Sequence, residues 1–236
     1  FSLLSPPLGS AAARRRVRCI LRNVLTEETT VAEDGAVAWG SRTPHSVTVA
    51  VTYQCQCDCR HCSAYLYRGE VEQAGSTLAL PELKDAVRQA VELGTTCLVL
   101  TGGEPLLHPG IHELIQSVPP ARSVCTIFTN GEGLTDPMVR RLRGDGLFGA
   151  FVSLDAADPA EHDQNRRRPG IFQKAVDGLR RCQDAGILTG ISTYVSSERL
   201  RSGAMDAVMD LGRSLGVLEV FVFDLIATGR LEGRPD

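Results

Sequence analysis

Four cysteines stand close together in the run Cys55-Gln56-Cys57-Asp58-Cys59-Arg60-His61-Cys62. Taking Cys55, Cys59 and Cys62 gives the spacing C-x3-C-x2-C. Three thiolates on one tight loop can hold three corners of a cubane iron–sulfur cluster. A fourth protein ligand would close the cluster, whereas three leave one iron open to a substrate. The competing chemistry is a zinc knot. Structural zinc takes four ligands, usually as two separated pairs. No second Cys/His pair follows downstream, and Cys57 or His61 completes a zinc set only by crowding one loop. Cys97 and Cys125 lie in apolar runs and read as small buried hydrophobes; Cys19 and Cys182 carry no signal. A disulfide framework spreads its cysteines across a small secreted chain, which this pattern does not do.

The elements that must present this loop recur along the chain. Residues 47–53 are β-branched and read as a strand that runs straight into the cysteines. Residues 81–93 read as a helix, with Leu83, Val87 and Ala90 at helical spacing, Pro81 suited to the first turn and Gly94 as a stop. Further strands are expected at 96–100, 124–128, 150–154, 188–195 and 218–226. Between them run helical patterns through Ile111 to Val118, through Met138 to Leu142 with Thr135 able to cap, through Phe172 to Leu179, and through Met205 to Leu211. Six strands alternating with five helices mean a parallel α/β sheet, either open and doubly wound or curled as a barrel. Polar residues and glycines follow the strands at 55–62, 101–104, 129–131 and 153–155. In both architectures those carboxyl ends face one site.

Taken in order, these segments resemble the radical SAM superfamily. C-x3-C-x2-C follows the first strand, with His61 where the family usually has an aromatic residue. Thr101-Gly102-Gly103-Glu104-Pro105 follows the second and matches the family's GGEP motif. Thr129-Asn130-Gly131 follows the third. Ser153-Leu154-Asp155 ends the fourth and precedes His162-Asp163-Gln164-Asn165-Arg166, similar to the family's S-x-D…H-D-x-x-R stretch. The resemblance spans roughly residues 47–230. It implies a partial (β/α)6 barrel, a [4Fe-4S] cluster on Cys55, Cys59 and Cys62, and S-adenosylmethionine on the open iron. It also implies roles for single residues. Gly102 and Gly103 would offer backbone that a ligand approaches closely, Glu104 would balance the methionine ammonium, Ser153 would contact the ligand, and Arg166 would pair with its carboxylate. Asn130 and Asp155 are carried over as further cofactor-binding positions, and Cys57 is read as a bystander. Reductive cleavage of S-adenosylmethionine would give a 5′-deoxyadenosyl radical that abstracts hydrogen from a substrate, the electron coming from an external donor such as flavodoxin or ferredoxin. The arrangement most resembles members that carry a C-terminal auxiliary-cluster extension and modify peptides or cofactor precursors. Two alternatives stand beside it: a zinc- or cluster-binding structural or redox module, and a non-catalytic scaffold on the same fold. Residue by residue there are plainer readings too: Gly102-Gly103 as a tight turn, Ser153 and Asp155 as caps, and Arg166 as part of a solvated run with Arg167 and Arg168.

The whole-chain numbers bound these readings. The chain has 236 residues, 43% hydrophobic and 22% charged, with a net charge of -3. That excludes wholesale disorder and a general polyanion binder. No apolar run approaches the ~20 residues of a membrane span, so a cytoplasmic protein is expected. We divide the chain into an N-terminal extension at 1–45, a core at 46–230 and the start of a linker or truncated region at 231–236. The extension carries Arg14-Arg15-Arg16, read as a solvated helix face rather than a nucleic-acid or membrane contact, and Asp34-Gly35, which suggests a small hairpin. Its first residue is Phe1, which suggests a fragment or processed chain. Six strands are too few to close an eight-stranded barrel. One flank, between the first and sixth strands, is therefore expected to stay open, with too little chain after Arg230 to cover it.

Overall fold

The computed structural model describes residues 30–31, 37–38, 44–68 and 78–233. Most of the N-terminal extension, including the basic run, lies outside the described residues. Within it, β1 (Thr30–Val31) pairs antiparallel with β2 (Val37–Ala38), while the expected turn residues Asp34-Gly35 lie outside the described residues.

The main sheet has six parallel strands in chain order: β3 (Ser46–Thr52), β4 (Cys97–Gly102), β5 (Val124–Thr129), β6 (Gly149–Ser153), β7 (Leu188–Val195) and β8 (Glu219–Asp224). Each strand pairs with its sequence neighbour, so the sheet is a partial (β/α)6 barrel whose edges are β3 and β8. The strands form because their β-branched and apolar residues fill both faces of a pleated sheet. On the helix side, Leu98, Leu100, Ile127, Val152 and Ile191 are fully buried. Burying side chains of this size contributes roughly 1.5–3 kcal/mol each. On the opposite face, Phe128 stacks on Phe151 at 5.2 Å, and Phe221 meets Phe151 edge-on at 4.7 Å.

The helices cover one face. α1 (Leu80–Glu92) buries Leu83, Val87, Ala90 and Val91, and Glu82 accepts the Ala79 amide at 2.7 Å to close its first turn. α2 (Ile111–Gln116) and α3 (Asp136–Asp145) follow β4 and β5. Thr135 does occupy the position before α3, but its side chain makes no capping bond. Two helices were absent from the sequence reading. α4 (Pro159–Arg166) buries only His162, so it lacks the apolar stripe that periodicity detects; Asp158 caps it by accepting the Glu161 amide at 2.8 Å. After α5 (Ile171–Asp184) and β7 comes the short α6 (Ser197–Arg201), then α7 (Ala204–Ser214). β8 ends at Asp224 rather than Ile226. Cys125 is buried as expected, whereas Cys97 is half-buried on the open side of the sheet.

The flank between β3 and β8 stays open, as the strand number predicts. The two strands do not pair, and Phe223 on β8 is 50% exposed. A 3-10 turn at Gly229–Leu231, however, returns to the cysteine loop, where the Arg230 amide donates to the Cys62 carbonyl at 3.1 Å. The flank is thus strapped at the carboxyl end of the sheet. Among the described residues no helix is long and apolar enough to cross a membrane.

Candidate functional site

The loop after β3 carries the cysteines without regular structure of its own. Its backbone is held from outside: the Asp58 amide donates to the Arg166 carbonyl at 3.1 Å and the Arg60 amide to the Asn165 carbonyl at 2.9 Å. Cys55, Cys57, Cys59 and Cys62 gather around the buried Ile171. Cys57 is buried, and its thiol bonds the sulfurs of Cys55 and Cys59; those bonds push its pKa up. The same bonds lower Cys55 and bring Cys59 down to about 6, while burial raises Cys62. Cys57 is therefore the thiol that holds its proton most firmly, and its contacts favour the ionised form of the sulfurs on either side.

Positive and polar groups face those sulfurs. Arg166 Nη1 lies 3.7 Å from Cys59 Sγ, and Asn130 Nδ2 lies 4.0 Å from Cys55 Sγ. Among the described residues, no three His, Cys, Asp or Glu side chains converge tightly enough for a single metal ion. Thiols spread over a loop and met by two nitrogen donors suit a polynuclear group, which is bonded one iron per thiolate.

Gly102 and Gly103 lie beneath the loop. A Cβ on Gly102 would stand 2.0 Å from the Thr52 carbonyl oxygen, and one on Gly103 2.4 Å from that of Gln54. The room expected for a ligand is taken by the chain itself: the end of β3 runs against the glycines, and the Gly103 amide donates to Thr52 O at 2.7 Å. Glu104 is fully buried. Its Oε1 accepts the Leu106 amide at 3.1 Å and the Thr129 hydroxyl at 2.7 Å, and its Oε2 accepts the Asn130 amide at 2.8 Å. It ties the end of β4 to the end of β5 and aims Asn130 at the loop. Burial pushes its pKa up to about 7 against the pull of those donors.

Asp155 follows β6 and is fully buried. Its Oδ1 accepts from Arg166 Nη2 at 2.7 Å, its amide donates to His162 Nδ1 at 3.1 Å, and its carbonyl accepts from Arg199 Nη2. Burial pushes its pKa up, but the Arg166 guanidinium beside it pulls it further down, so it is ionised. His61 and His162 are each brought to about 4 by burial and are neutral. The His61 ring packs on Tyr194 at 4.2 Å, and the Arg199 guanidinium lies 4.3 Å from the centre of the same Tyr194 ring. Ser153 Oγ reaches Ser192 Oγ at 3.2 Å, which joins β6 to β7.

The structure therefore gathers Cys55, Cys59, Cys62, Asn130, Glu104, Asp155 and Arg166 at the carboxyl end of the sheet, with Ser153 one strand position away. Tyr194, Arg199 and Arg68 had no signal in the sequence, because their roles arise from segments far apart in the chain. Buried polar atoms without a partner concentrate here: Gln56 Oε1, His61 Nδ1, Asp155 Oδ2, Arg166 Nε and Arg199 Nε. Unpaired groups of this kind each cost about 1–3 kcal/mol, and a polar, charged ligand would satisfy them. The donor set fits an iron–sulfur cluster with an amino-acid-bearing ligand beside it.

Comparison with known proteins agrees with this geometry. Residues 49–197 match the Radical SAM superfamily. The chain is 28% identical over 197 residues to an AdoMet-dependent heme synthase of Nitratidesulfovibrio vulgaris, covering 84% of this chain and 52% of that protein. It is 30% identical to the AdoMet-dependent heme synthase of Methanosarcina barkeri, over 79% of this chain and 52% of that protein. A GTP 3',8-cyclase of Marinobacter nauticus is 35% identical over 61% of this chain and 43% of its own length. The chain spans about half the length of the curated relatives it matches. In fold it is similar to Streptococcus suis SuiB bound to the precursor peptide SuiA, with TM-score 0.68 and 14% identity over 95% of this chain and 46% of that one. SuiB bound to S-adenosylmethionine aligns with TM-score 0.65 and 16% identity over 78% of this chain and 41% of that one.

Proposed function

The chain belongs to the radical SAM superfamily, and from that premise we propose that residues 46–230 form a core that binds a [4Fe-4S] cluster and S-adenosylmethionine and acts on an organic substrate. Cys55, Cys59 and Cys62 would hold the cluster. When bound, the cluster and S-adenosylmethionine supply one-electron reductive cleavage of the S–C5′ bond, which gives methionine and a 5′-deoxyadenosyl radical for hydrogen abstraction. Arg166, anchored on Asp155, offers a guanidinium for a carboxylate. Glu104 and Asn130 fix the polar rim beside Cys55. Cys57 donates a hydrogen bond to its neighbours and stays outside the ligand set. The electron comes from an external protein donor, and the setting is cytoplasmic.

The observation that carries this reading is the convergence of Arg166 and Asn130 on the sulfurs of Cys59 and Cys55, beside buried polar atoms that have no partner in the chain. The substrate reading is a peptide or a cofactor precursor. Phe128, Phe151, Phe221 and Phe223 favour a planar precursor, since together they present an aromatic wall on the open face of β5 to β8. Anaerobic reconstitution tests the core claim. The expected result is about four irons per chain and release of methionine and 5′-deoxyadenosine after dithionite reduction. Stoichiometric zinc with no binding of S-adenosylmethionine would sink it. An intact cluster that leaves S-adenosylmethionine uncleaved would reduce the protein to a scaffold.

A further inference from the structure

The turn after β8 meets the cysteine loop more closely than packing alone requires. Gly229 is buried with φ +61°, and a Cβ there would stand 2.4 Å from the Cys62 carbonyl oxygen and 2.5 Å from that of Ser63. The next residue, Arg230, spreads its guanidinium 3.8 Å from the centre of the Tyr65 ring, and its Nη2 bonds Asp58 Oδ1. Asp58 lies inside the motif, between Cys57 and Cys59, and its Oδ2 also accepts from Arg167 Nη1 at 3.0 Å. Arg68, on the outgoing limb of the loop, stands 3.8 Å from Asp58 Oδ1. It donates to the Cys57 carbonyl at 2.8 Å and the Cys55 carbonyl at 2.6 Å. One carboxylate thus collects guanidiniums from three segments: the loop's own exit, the residue that closes α4, and the chain beyond the last strand.

We infer that Asp58, Arg68 and Arg230 are positioning residues, and that the Gly229–Leu231 turn is a latch holding the thiol loop across the gap between β3 and β8. The need for one follows from the loop itself. It has no helix or strand to set the spacing of its three sulfurs, so its carbonyls and amides must be held by other segments. Arg68 holds the carbonyls at the Cys55 end, and the latch holds the carbonyl at Cys62. A half-exposed ion pair alone contributes little. Arg230 differs because its side chain is only 12% exposed, is stacked on an aromatic ring and follows a residue whose backbone touches the loop. The latch stands on the protein's own contacts. Its purpose, keeping three thiolates at cluster spacing, rests on the cluster reading proposed above.

The test uses hydrogen exchange on the metal-free full chain and chelator challenge on the iron-loaded chain, for wild type and for Arg230→Gln, Arg230→Lys, Asp58→Asn and Gly229→Val. Arg230→Gln and Asp58→Asn should speed exchange of the amides between Cys62 and Arg68 roughly tenfold, as local opening becomes easier, with β5 and β6 unchanged. Arg230→Lys should recover part of the protection because it keeps the charge. In the loaded protein, iron loss to the chelator should follow the same order, and the electron paramagnetic resonance signal of the reduced cluster should broaden. Gly229→Val, which bars the close approach directly, should act at least as strongly as Arg230→Gln. Unchanged exchange in both Arg230→Gln and Gly229→Val would overturn the latch whatever the iron content. Wild-type protein that takes up no iron would overturn the cluster reading, and with it the purpose assigned to the latch. Faster exchange with unaltered iron retention and spectrum would overturn the positioning role.

Discussion

Glu104→Gln is the substitution whose effect should change with pH in a direction that the structure dictates. Glu104 is fully buried, and its pKa is pushed from an ordinary 4.5 up to about 7, burial being the largest cause. A carboxyl whose folded pKa lies above its unfolded value stabilises the fold fully below the unfolded pKa and loses that contribution as pH rises through the folded one. A gap of about 2.5 units corresponds to about 3 kcal/mol. Wild-type protein should therefore lose about 3 kcal/mol through this one group between about pH 4.5 and about pH 8. Glutamine is neutral throughout and keeps the shape, so it should lose none of it. At acid pH it resembles the protonated wild type and costs about 1 kcal/mol, because its amide presents a donor to the Thr129 hydroxyl or to the Asn130 or Leu106 amide. Urea unfolding of both proteins across that pH range is the assay. The difference between them should move in the variant's favour by about 3 kcal/mol as pH rises. A variant that becomes relatively less stable at high pH would refute the reasoning, since the three donors would then outweigh burial and the carboxyl would be ionised throughout.

Three further expectations follow from the site. Alanine at Cys55, Cys59 or Cys62 should remove most of the iron taken up on reconstitution, while Cys57→Ala should retain it; equal loss at Cys57 would require another ligand set. Gly103→Ala drives a Cβ to 2.4 Å from the Gln54 carbonyl oxygen and should cost about 3 kcal/mol or more. Gly144→Ala, on α3 with nothing within 4 Å of its would-be Cβ, should instead add about 0.5–1 kcal/mol, both read by thermal melting. Arg166→Gln leaves the buried Asp155 carboxylate without its 2.7 Å partner and should cost about 3–5 kcal/mol near neutral pH. Asp155 is held ionised in the folded wild type, so the penalty should shrink as pH falls far enough to protonate it. A loss that stays constant with pH would assign Arg166 a packing role alone.

Strands and motifs were legible in the sequence for different physical reasons. β7 was read to the residue at Leu188–Val195, because β-branched residues bounded by glycine and serine leave few alternatives. Strand ends elsewhere moved by a residue or two. α4 was missed because its sole buried side chain is His162; the signal available was the Asp158-Pro159 start, a cap followed by a first-turn proline. The cysteine spacing and the Gly102-Gly103-Glu104 run are local, and local patterns survive in one dimension. What the glycines face did not: their missing side chains make room for the end of β3, which only the pairing of β3 with β4 reveals. Arg68, Tyr194 and Arg199 serve the site through contacts across strands and loops, so no spacing rule could single them out.

The contact between Asp58 and Arg230 closes a loop of 172 residues, and that has a consequence for how the protein matures. The strands pair in chain order, so the sheet can grow from β3 outward as the chain emerges, each new strand finding its partner already in place. The thiol loop is made early, behind the first strand of the sheet, yet the segment that fastens it is made only after all six strands. Contacts at such separation form late because the entropy of loop closure must be met first. Until then the loop has the backbone bonds from Asn165 and Arg166 but lacks those from the Gly229–Leu231 turn, so it is less tightly held than in the finished fold. Chains halted before Gly229 during synthesis should accept iron faster than the released, folded protein, and hold it less well.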